Sequence, residues 1–144
     1  MIDGVIISPL KIIRVDEGDI YHGMKRVDKG YCGFGEAYFS SINYGETKGW
    51  KRHHEMTLNI IVPNGKIQFA LFDDRNKVNF KRYDIVISKK NYCRLTVPPM
   101  VWLAFKGLDI NGSMLLNIAN IVHNPSESDS KNIDDIEFNW REVL

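Results

Sequence analysis

The side chains best suited to chemistry in this sequence form a short basic cluster near its middle. The cluster consists of Lys48, Lys51, Arg52, His53 and His54. Imidazole titrates near neutral pH and can take up or return a proton, whereas lysine and arginine bind anions such as phosphate. An apolar run and the turn Pro63-Asn64-Gly65 follow at once. The pattern therefore fits either the rim of a pocket for an anionic ligand or an ordinary solvated strand end.

Strand alternation sorts the cluster into two faces. Successive side chains of an extended chain point to opposite faces, so Lys51 and His53 share one face while Arg52 and His54 share the other. The first pair is the candidate for proton chemistry. His53 is the better titrating group, and Lys51 either acts as a base or stabilises a developing negative charge. A structural histidine is the alternative interpretation for His53, and an exposed or inter-strand position is favoured for His54.

The elements that must position these residues are short strands separated by turns. Apolar or alternating patterns occupy residues 5–7, 10–15, 34–43, 56–62, 66–73, 79–88, 93–97, 101–105 and 114–122. We expect residues 56–62 and 66–73 to pair as a hairpin through the Pro-Asn-Gly turn, with one face of the second strand in water. No long 3.6-residue period is present. The sequence therefore predicts an all-β sandwich or barrel.

Composition limits the classes of partner. The chain has 144 residues and a formal net charge of +1, which favours a single domain spanning residues 1–144 and indicates neither a nucleic-acid nor a membrane partner. It has no long apolar stretch and no secretory pattern at its start, so we expect a cytoplasmic protein. Cys32 and Cys93 lie far apart without a CxxC motif, and we expect both to be reduced, buried thiols.

The character of the sequence changes after residue 123. Residues 126–137 are polar and acidic, and we expect them to form a surface segment, either a lid or a solvated loop. The aromatic residues Phe138 and Trp140 follow. An aromatic pair directly after a polar segment predicts that residues 138–144 dock on the body of the protein or on a partner subunit.

Four stretches of the sequence carry a family pattern. They are IDGVIISPLKIIRVDEGDI, FGEAYFSSINYGETKGW, RLTVPPMVWLAFKGL, and ANIVHNPSES with IEFNW. In this order the chain resembles, over almost its whole length, the RmlC-like cupins, which include dTDP-4-dehydrorhamnose 3,5-epimerase and related nucleotide-sugar epimerases and ketoisomerases. The resemblance implies a double-stranded β-helix (the cupin jelly roll), a homodimer that exchanges N-terminal strands, and a role in cell-surface polysaccharide synthesis.

The resemblance also implies a substrate, a dTDP-4-keto-6-deoxyhexose. Its 4-keto group acidifies the protons on C3 and C5, so a base can remove one to give an enolate and an acid can return it. On the family pattern Lys51 takes the place of the epimerases' histidine base, and Asn117 lies near their tyrosine acid. His53 takes the second position of the ketoisomerases' His-x-His pair. The implied protein is an isomerase with an altered acid/base set, or a catalytically silent cupin that binds a sugar nucleotide or a partner enzyme.

Further residues are candidates for holding such a ligand, as cations for the pyrophosphate, aromatic rings for the base or polar groups near the sugar. They are Lys48, Arg52, Arg75, Arg82, Phe39, Tyr44, Trp102, Asn117 and His123. For the aromatic residues the alternative is core packing, and for His123 it is a structural hydrogen bond.

The sequence predicts neither a metal site nor another cofactor. The positions at which metal-binding cupins have their ligands read Lys51, His53, Leu58 and Leu103. A single histidine cannot hold zinc, which takes three or four protein donors.

Overall fold

The structure is a computed structural model that describes residues 1–143. Its strands are β1 (Ile6–Pro9), β2 (Ile12–Ile13), β3 (Ile20–Tyr21), β4 (Glu36–Ile42), β5 (Thr47–His53), β6 (Leu58–Asn64), β7 (Ile67–Asp73), β8 (Lys81–Ile87), β9 (Cys93–Val97), β10 (Trp102–Gly107), β11 (Ser113–Ala119) and β12 (Ser128–Ser130). Two 3₁₀ turns, Pro125–Glu127 and Ile133–Asp135, flank β12. Within the described range no α-helix occurs.

Ten of these strands form two five-stranded sheets with antiparallel neighbours. Sheet 1 has the order β1-β9-β6-β11-β4, and sheet 2 has the order β12-β5-β10-β7-β8. From β4 to β7, and again from β8 to β12, successive strands alternate between the two sheets. This alternation across two facing sheets is that of a jelly roll, and the prediction of an all-β, single-domain jelly roll is confirmed.

The predicted hairpin between the segments 56–62 and 66–73 is wrong. The strand β6 pairs with β9 and β11 in sheet 1, whereas β7 pairs with β8 and β10 in sheet 2. Gly65, with φ of 89°, makes the tight turn, and the chain crosses from one sheet to the other there. Turn chemistry determines that the chain reverses, but both strands are apolar enough to face each other across the core instead of pairing edge to edge.

The prediction that residues 66–73 have a wet face is also wrong. All residues of β7 are buried. Ile67, Phe69 and Leu71 enter the core between the sheets, and the opposite face is covered by the C-terminal tail. Gln68, fully buried, donates to the carbonyl of Asn139 and accepts from the backbone N–H of Arg141. Gln68, one of the polar residues from which a solvent-exposed face was predicted, thus binds the C-terminal tail.

The tail itself packs on the outer face of sheet 2. Phe138 and Trp140 lie against the buried ring of Trp50, with ring centroids 5.8 and 6.1 Å away. The indole N–H of Trp50 donates to the carbonyl of Ile133 at 3.1 Å. Leu144, the last residue of the predicted docked segment, lies outside the described residues.

Two further expectations need correction. Residues 126–137 are not simply a solvated surface segment, since β12 pairs with β5 and Glu127 is buried. Of the two cysteines, Cys93 is buried and burial raises the pKa of its thiol to about 11, but Cys32 is exposed because it lies in the loop before β4. Across residues 1–143, no helix is long and apolar enough to cross a membrane.

Candidate active site

A cavity of about 340 Å³ lies between the inner faces of the two sheets. Strands β4, β6 and β11 of sheet 1 form one side, and β5, β10 and β12 of sheet 2 form the other. Its apolar walls are Leu58, Ile60, Leu103, Phe105 and Leu115. Its polar lining includes Tyr38, Ser40, Lys48, Lys51, His53, Asn117 and Ser130. Most of the lining surface is apolar by area, although several polar side chains converge on it, and this combination is typical of small-molecule sites.

A β-bulge in β5 brings the basic side chains to the cavity. Leu103 of β10 pairs with Lys51, but the next residue, Ala104, pairs with Gly49, so Trp50 is the extra residue. Simple alternation from Lys51 would put Lys48 on the opposite face; the bulge restores it to the cavity side. Trp50 instead packs outwards under the tail. The predicted common face of Lys51 and His53 is present, and both line the cavity.

His53 has a buried carboxylate partner, Glu127, that was not among the residues predicted for the site. Its Nδ1 lies 2.6 Å from Oε1 of Glu127, and each residue is only 7% exposed. The other carboxylate oxygen of Glu127 accepts the backbone N–H groups of Glu55 and Met56, both at 2.8 Å. The backbone carbonyl of Glu127 accepts the N–H of His54. Glu127 therefore holds together the turn that follows the His53 strand.

The ionisation state of Glu127 determines which nitrogen of His53 carries a proton. Burial by itself raises the pKa of Glu127, but the hydrogen bonds from His53, Glu55 and Met56 outweigh it and lower the pKa to about 2. The carboxylate is therefore ionised near neutral pH and accepts a hydrogen bond from Nδ1. In the neutral imidazole Nε2 is then the proton-accepting nitrogen, as a general base requires.

Tyr38 is a second residue of the site that was not predicted from the sequence, and it lines the cavity. It lies on β4 directly opposite Asn117 of β11, and the Asn117 side-chain amide donates to the Tyr38 hydroxyl at 3.2 Å. The carbonyl oxygen of that amide accepts the N–H of Asn59. Asn117 thus lies in the cavity as expected but serves to position a tyrosine. A phenolic hydroxyl can donate a proton, which an asparagine cannot.

Three residues of the basic cluster, Lys48, Arg52 and His54, separate from one another. Lys48 lines the cavity and donates to the hydroxyl of Ser40 and the carbonyl of Ser41. Arg52 points to the outer face of sheet 2, where it pairs with Asp129 at 2.7 Å. His54, just after β5, lies 3.0 Å from the same carboxylate and is partly exposed. The predicted separation of Arg52 and His54 from the cavity face is thus present.

The remaining predicted binding residues lie away from this cavity. The ring of Trp102 is buried beneath the guanidinium of Arg52, and Phe39 alternates with Tyr38 to face outwards. Tyr44 lies in the turn before β5, where its backbone forms an isolated β-bridge with Gly107. The other three are Arg75, paired with Asp73; Arg82, which stacks on Phe72; and His123, whose side chain is exposed beyond β11.

The four positions that correspond to the metal ligands of metal-binding cupins converge, as the resemblance implies. Lys51, His53, Leu58 and Leu103 all line the cavity. They offer one imidazole and one amine, a donor set that does not suit zinc. In the described part of the chain, no group of three or more His, Cys, Asp or Glu side chains is placed to hold a metal ion.

The fold is a jelly roll with a ligand-sized cavity between its sheets, an architecture that cupins share with other classes of protein. Comparison with known proteins specifies the family. A solved structure of a dTDP-sugar isomerase from Desulfovibrio desulfuricans G20 superposes with a TM-score of 0.90 and 30% identity, covering 96% of this chain and 91% of that one. The 3,4-ketoisomerase QdtA from Thermoanaerobacterium thermosaccharolyticum superposes at 0.76 with 18% identity, over 94% and 93% of the two chains; at this identity it shows the fold alone.

A curated sequence relative is more distant. The probable low-salt glycan biosynthesis epimerase Agl13 of Haloferax volcanii is 25% identical over 100 residues, which are 67% of this chain and 64% of that protein. The chain therefore matches just under two thirds of that relative's length. No protein-family model matches the chain. From the extent of its similarity to the Desulfovibrio enzyme, the chain belongs to the dTDP-sugar isomerase family of RmlC-like cupins.

Proposed function

We propose that this protein is an isomerase or epimerase of a dTDP-4-keto-6-deoxyhexose, in a pathway of cell-surface polysaccharide synthesis. The observation that carries the proposal is the buried His53–Glu127 pair at the wall of an otherwise largely apolar cavity. Such a pair is the arrangement of a general base with a fixed tautomer. Support also comes from the Desulfovibrio relative, which is a dTDP-sugar isomerase, and from QdtA, which was solved with TDP bound.

In the proposed reaction His53 removes the proton from a carbon next to the 4-keto group. The electron pair left on that carbon moves into the carbonyl and gives an enolate, whose oxygen is stabilised by the ammonium of Lys51. Reprotonation of the carbon from the other side gives the epimer. Tyr38 is the candidate donor, because it lies on β4 of sheet 1 while His53 lies on β5 of sheet 2, across the cavity.

The cations of the cavity suit the charged part of the substrate. Lys48 and Lys51 line it, and among its described lining residues there is no carboxylate to neutralise them. Ammonium groups near a low-dielectric wall attract a diphosphate more strongly than they would in water. The binding roles of the arginines outside the cavity, the homodimer and the cytoplasmic location stay predictions.

The catalytically silent alternative rests on the replacement of both of the family's catalytic groups, since Lys51 takes the place of the histidine base and Asn117 lies near the position of the tyrosine acid. Hydrogen exchange separates the two functions. The protein is incubated in D₂O with dTDP-4-keto-6-deoxyglucose, and deuterium at C3 and C5 is followed by proton NMR. Exchange that His53→Asn lowers by about 10²-fold or more supports the enzyme, with His54→Asn as the matched control outside the cavity. Binding of dTDP without exchange in the unaltered protein would leave a sugar-nucleotide binder.

A further inference from the structure

A second recess, on the outer face of sheet 1, has a charge pattern that the proposed reaction does not use. It has a volume of about 280 Å³ and lies between the β1–β2 connection, the loop of residues 22–29 and β9. The cationic side chains around it are Lys11, Lys25, Lys29 and Arg94, and Asp28 supplies a carboxylate. This concentration of positive charge contrasts with the formal net charge of only +1 for the whole chain.

Arg94 is the buried residue of this recess. Its neighbours in β9, Cys93 and Leu95, point into the core between the sheets, so alternation turns Arg94 to the outer face. There it is only 1% exposed beneath the loop. A charge removed from water to this extent needs partners for its charge and for its N–H groups.

The partners present do not fully satisfy Arg94. Its guanidinium donates to the carbonyls of Gly23 and Lys29 at 2.8 and 3.2 Å, and to the carboxylate of Asp28 at a longer 3.3 Å. A guanidinium has five N–H donors. The Nε–H of Arg94 is buried and has no hydrogen-bond partner among residues 1–143. The Asp28 carboxylate also accepts the N–H of Lys25, so Arg94 shares it.

We propose that this recess is a second anion-binding site, specific for a phosphate group and separate from the catalytic cavity. Arg94 would recognise the phosphate with its unused N–H groups, while Lys25 and Lys29 close over it from the loop. Guanidinium binds phosphate oxygens with directed hydrogen bonds, and lysines add charge at short range. The phosphate can be inorganic or the terminal group of a nucleotide. Its binding would tie the loop of residues 22–30 to sheet 1.

The test is a phosphate titration of the full chain at constant ionic strength, followed by the backbone amide signals of Gly23 and Gly30 in NMR spectra. We expect these signals to move saturably, and Lys25→Ala/Lys29→Ala to weaken phosphate binding at least tenfold. The matched control is Lys66→Ala/Lys90→Ala, which removes the same charge from a recess at another part of the surface. It should change the affinity less than twofold.

Two additional experiments test the role of Arg94 and the identity of the ligand. Arg94→Gln should abolish saturable phosphate binding. If that variant fails to fold, the comparison of the two lysine double variants still tests the site. A parallel titration with dTDP identifies the source, since tighter binding through the same amides indicates a nucleotide and equal or weaker binding indicates phosphate itself. The second site would be overturned by any of three results. The two lysine double variants could lose phosphate affinity equally, the amide signals could shift linearly without saturation, or Lys51→Ala could abolish the binding. None of these results depends on whether the catalytic cavity is active.

Discussion

His53 and Glu127 are 74 residues apart in the sequence, yet their side chains meet at 2.6 Å in the interior of the protein. The contact exists because β12 joins the edge of sheet 2 beside β5, with Ser128 opposite His53. Glu127 precedes that strand by one residue and turns inwards. The acidic segment near the C-terminus therefore completes the site whose base lies on β5.

Glu127→Gln should lower the rate of deuterium exchange at least about tenfold without a comparable change in KM. A neutral amide can no longer stabilise the imidazolium that forms when His53 takes up a proton, although substrate contacts stay in place. Steady-state exchange rates at several substrate concentrations check this. Asp129→Asn, the same kind of change two residues away but directed to the outer face, is the control. Equal rates for the two variants would remove Glu127 from the mechanism.

The Glu127 carboxylate should make the free energy of unfolding depend on pH in the acid range. Its pKa in the folded protein is about 2, below the ordinary value of 4.5. The ionised form thus stabilises the folded state fully above pH 4.5, and this contribution is lost as the pH falls from 4.5 towards 2. Urea unfolding should show the unaltered protein about 1–3 kcal/mol more stable than Glu127→Gln at pH 7. That difference should shrink through the acid range; a constant difference would contradict the assignment.

Tyr38→Phe should separate proton removal from inversion. His53 is unchanged in this variant, so deuterium should still enter the substrate, but formation of the epimer should fall by about 10²-fold. The lost hydroxyl accepts one hydrogen bond from Asn117, so the fold should change little. Product analysis by NMR gives both quantities from one sample. Tyr44→Phe, outside the cavity, is the control, and unchanged epimer formation in Tyr38→Phe would exclude Tyr38 as the donor.

Gly49→Ala should destabilise the protein through the bulge that orients the basic residues. Gly49 has φ of 127°, and an added Cβ would lie 2.7 Å from Cα of Ala104 and 2.9 Å from the carbonyl of Leu103. Gly18 has a similar φ of 147° but open space around it. Gly49→Ala should lower the free energy of unfolding by more than about 1 kcal/mol, and by more than Gly18→Ala does. Thermal unfolding of both variants measures the difference, and equal losses would mean that the contact with β10 is unimportant.

Trp140→Ala should lower the free energy of unfolding by about 2 kcal/mol. The ring packs against Trp50 and Phe138 on sheet 2, so its loss exposes part of an apolar cluster that includes the bulged residue. Phe39→Ala is the comparison, because Phe39 is 63% exposed on the outer face of sheet 1. If both variants unfold at the same denaturant concentration, the tail does not contribute to stability in the way its packing indicates.

Much of the fold followed from local pattern. The segment 93–97 coincides with β9, the segment 66–73 begins one residue before β7 and ends with it, and the segment 114–122 differs from β11 by one residue at its start and three at its end. Alternation also predicted the common face of Lys51 and His53. The pairing of the strands did not follow from local pattern, because the Pro63-Asn64-Gly65 turn is compatible with both a hairpin and a crossing between sheets. Local chemistry does not distinguish these two outcomes.

The sequence by itself determined the strand-rich class, the family resemblance and the face on which the candidate base lies, because these depend on side-chain period and on short motifs. Only the tertiary structure decided which residues complete the site. No local pattern distinguishes Glu127 from the other acids of its segment, or Tyr38 from Phe39 beside it. The pairing of β12 with β5 and of β4 with β11 selects them. Such pairings depend on how distant apolar faces are buried together, and the residues next to each position in the sequence carry little information about them.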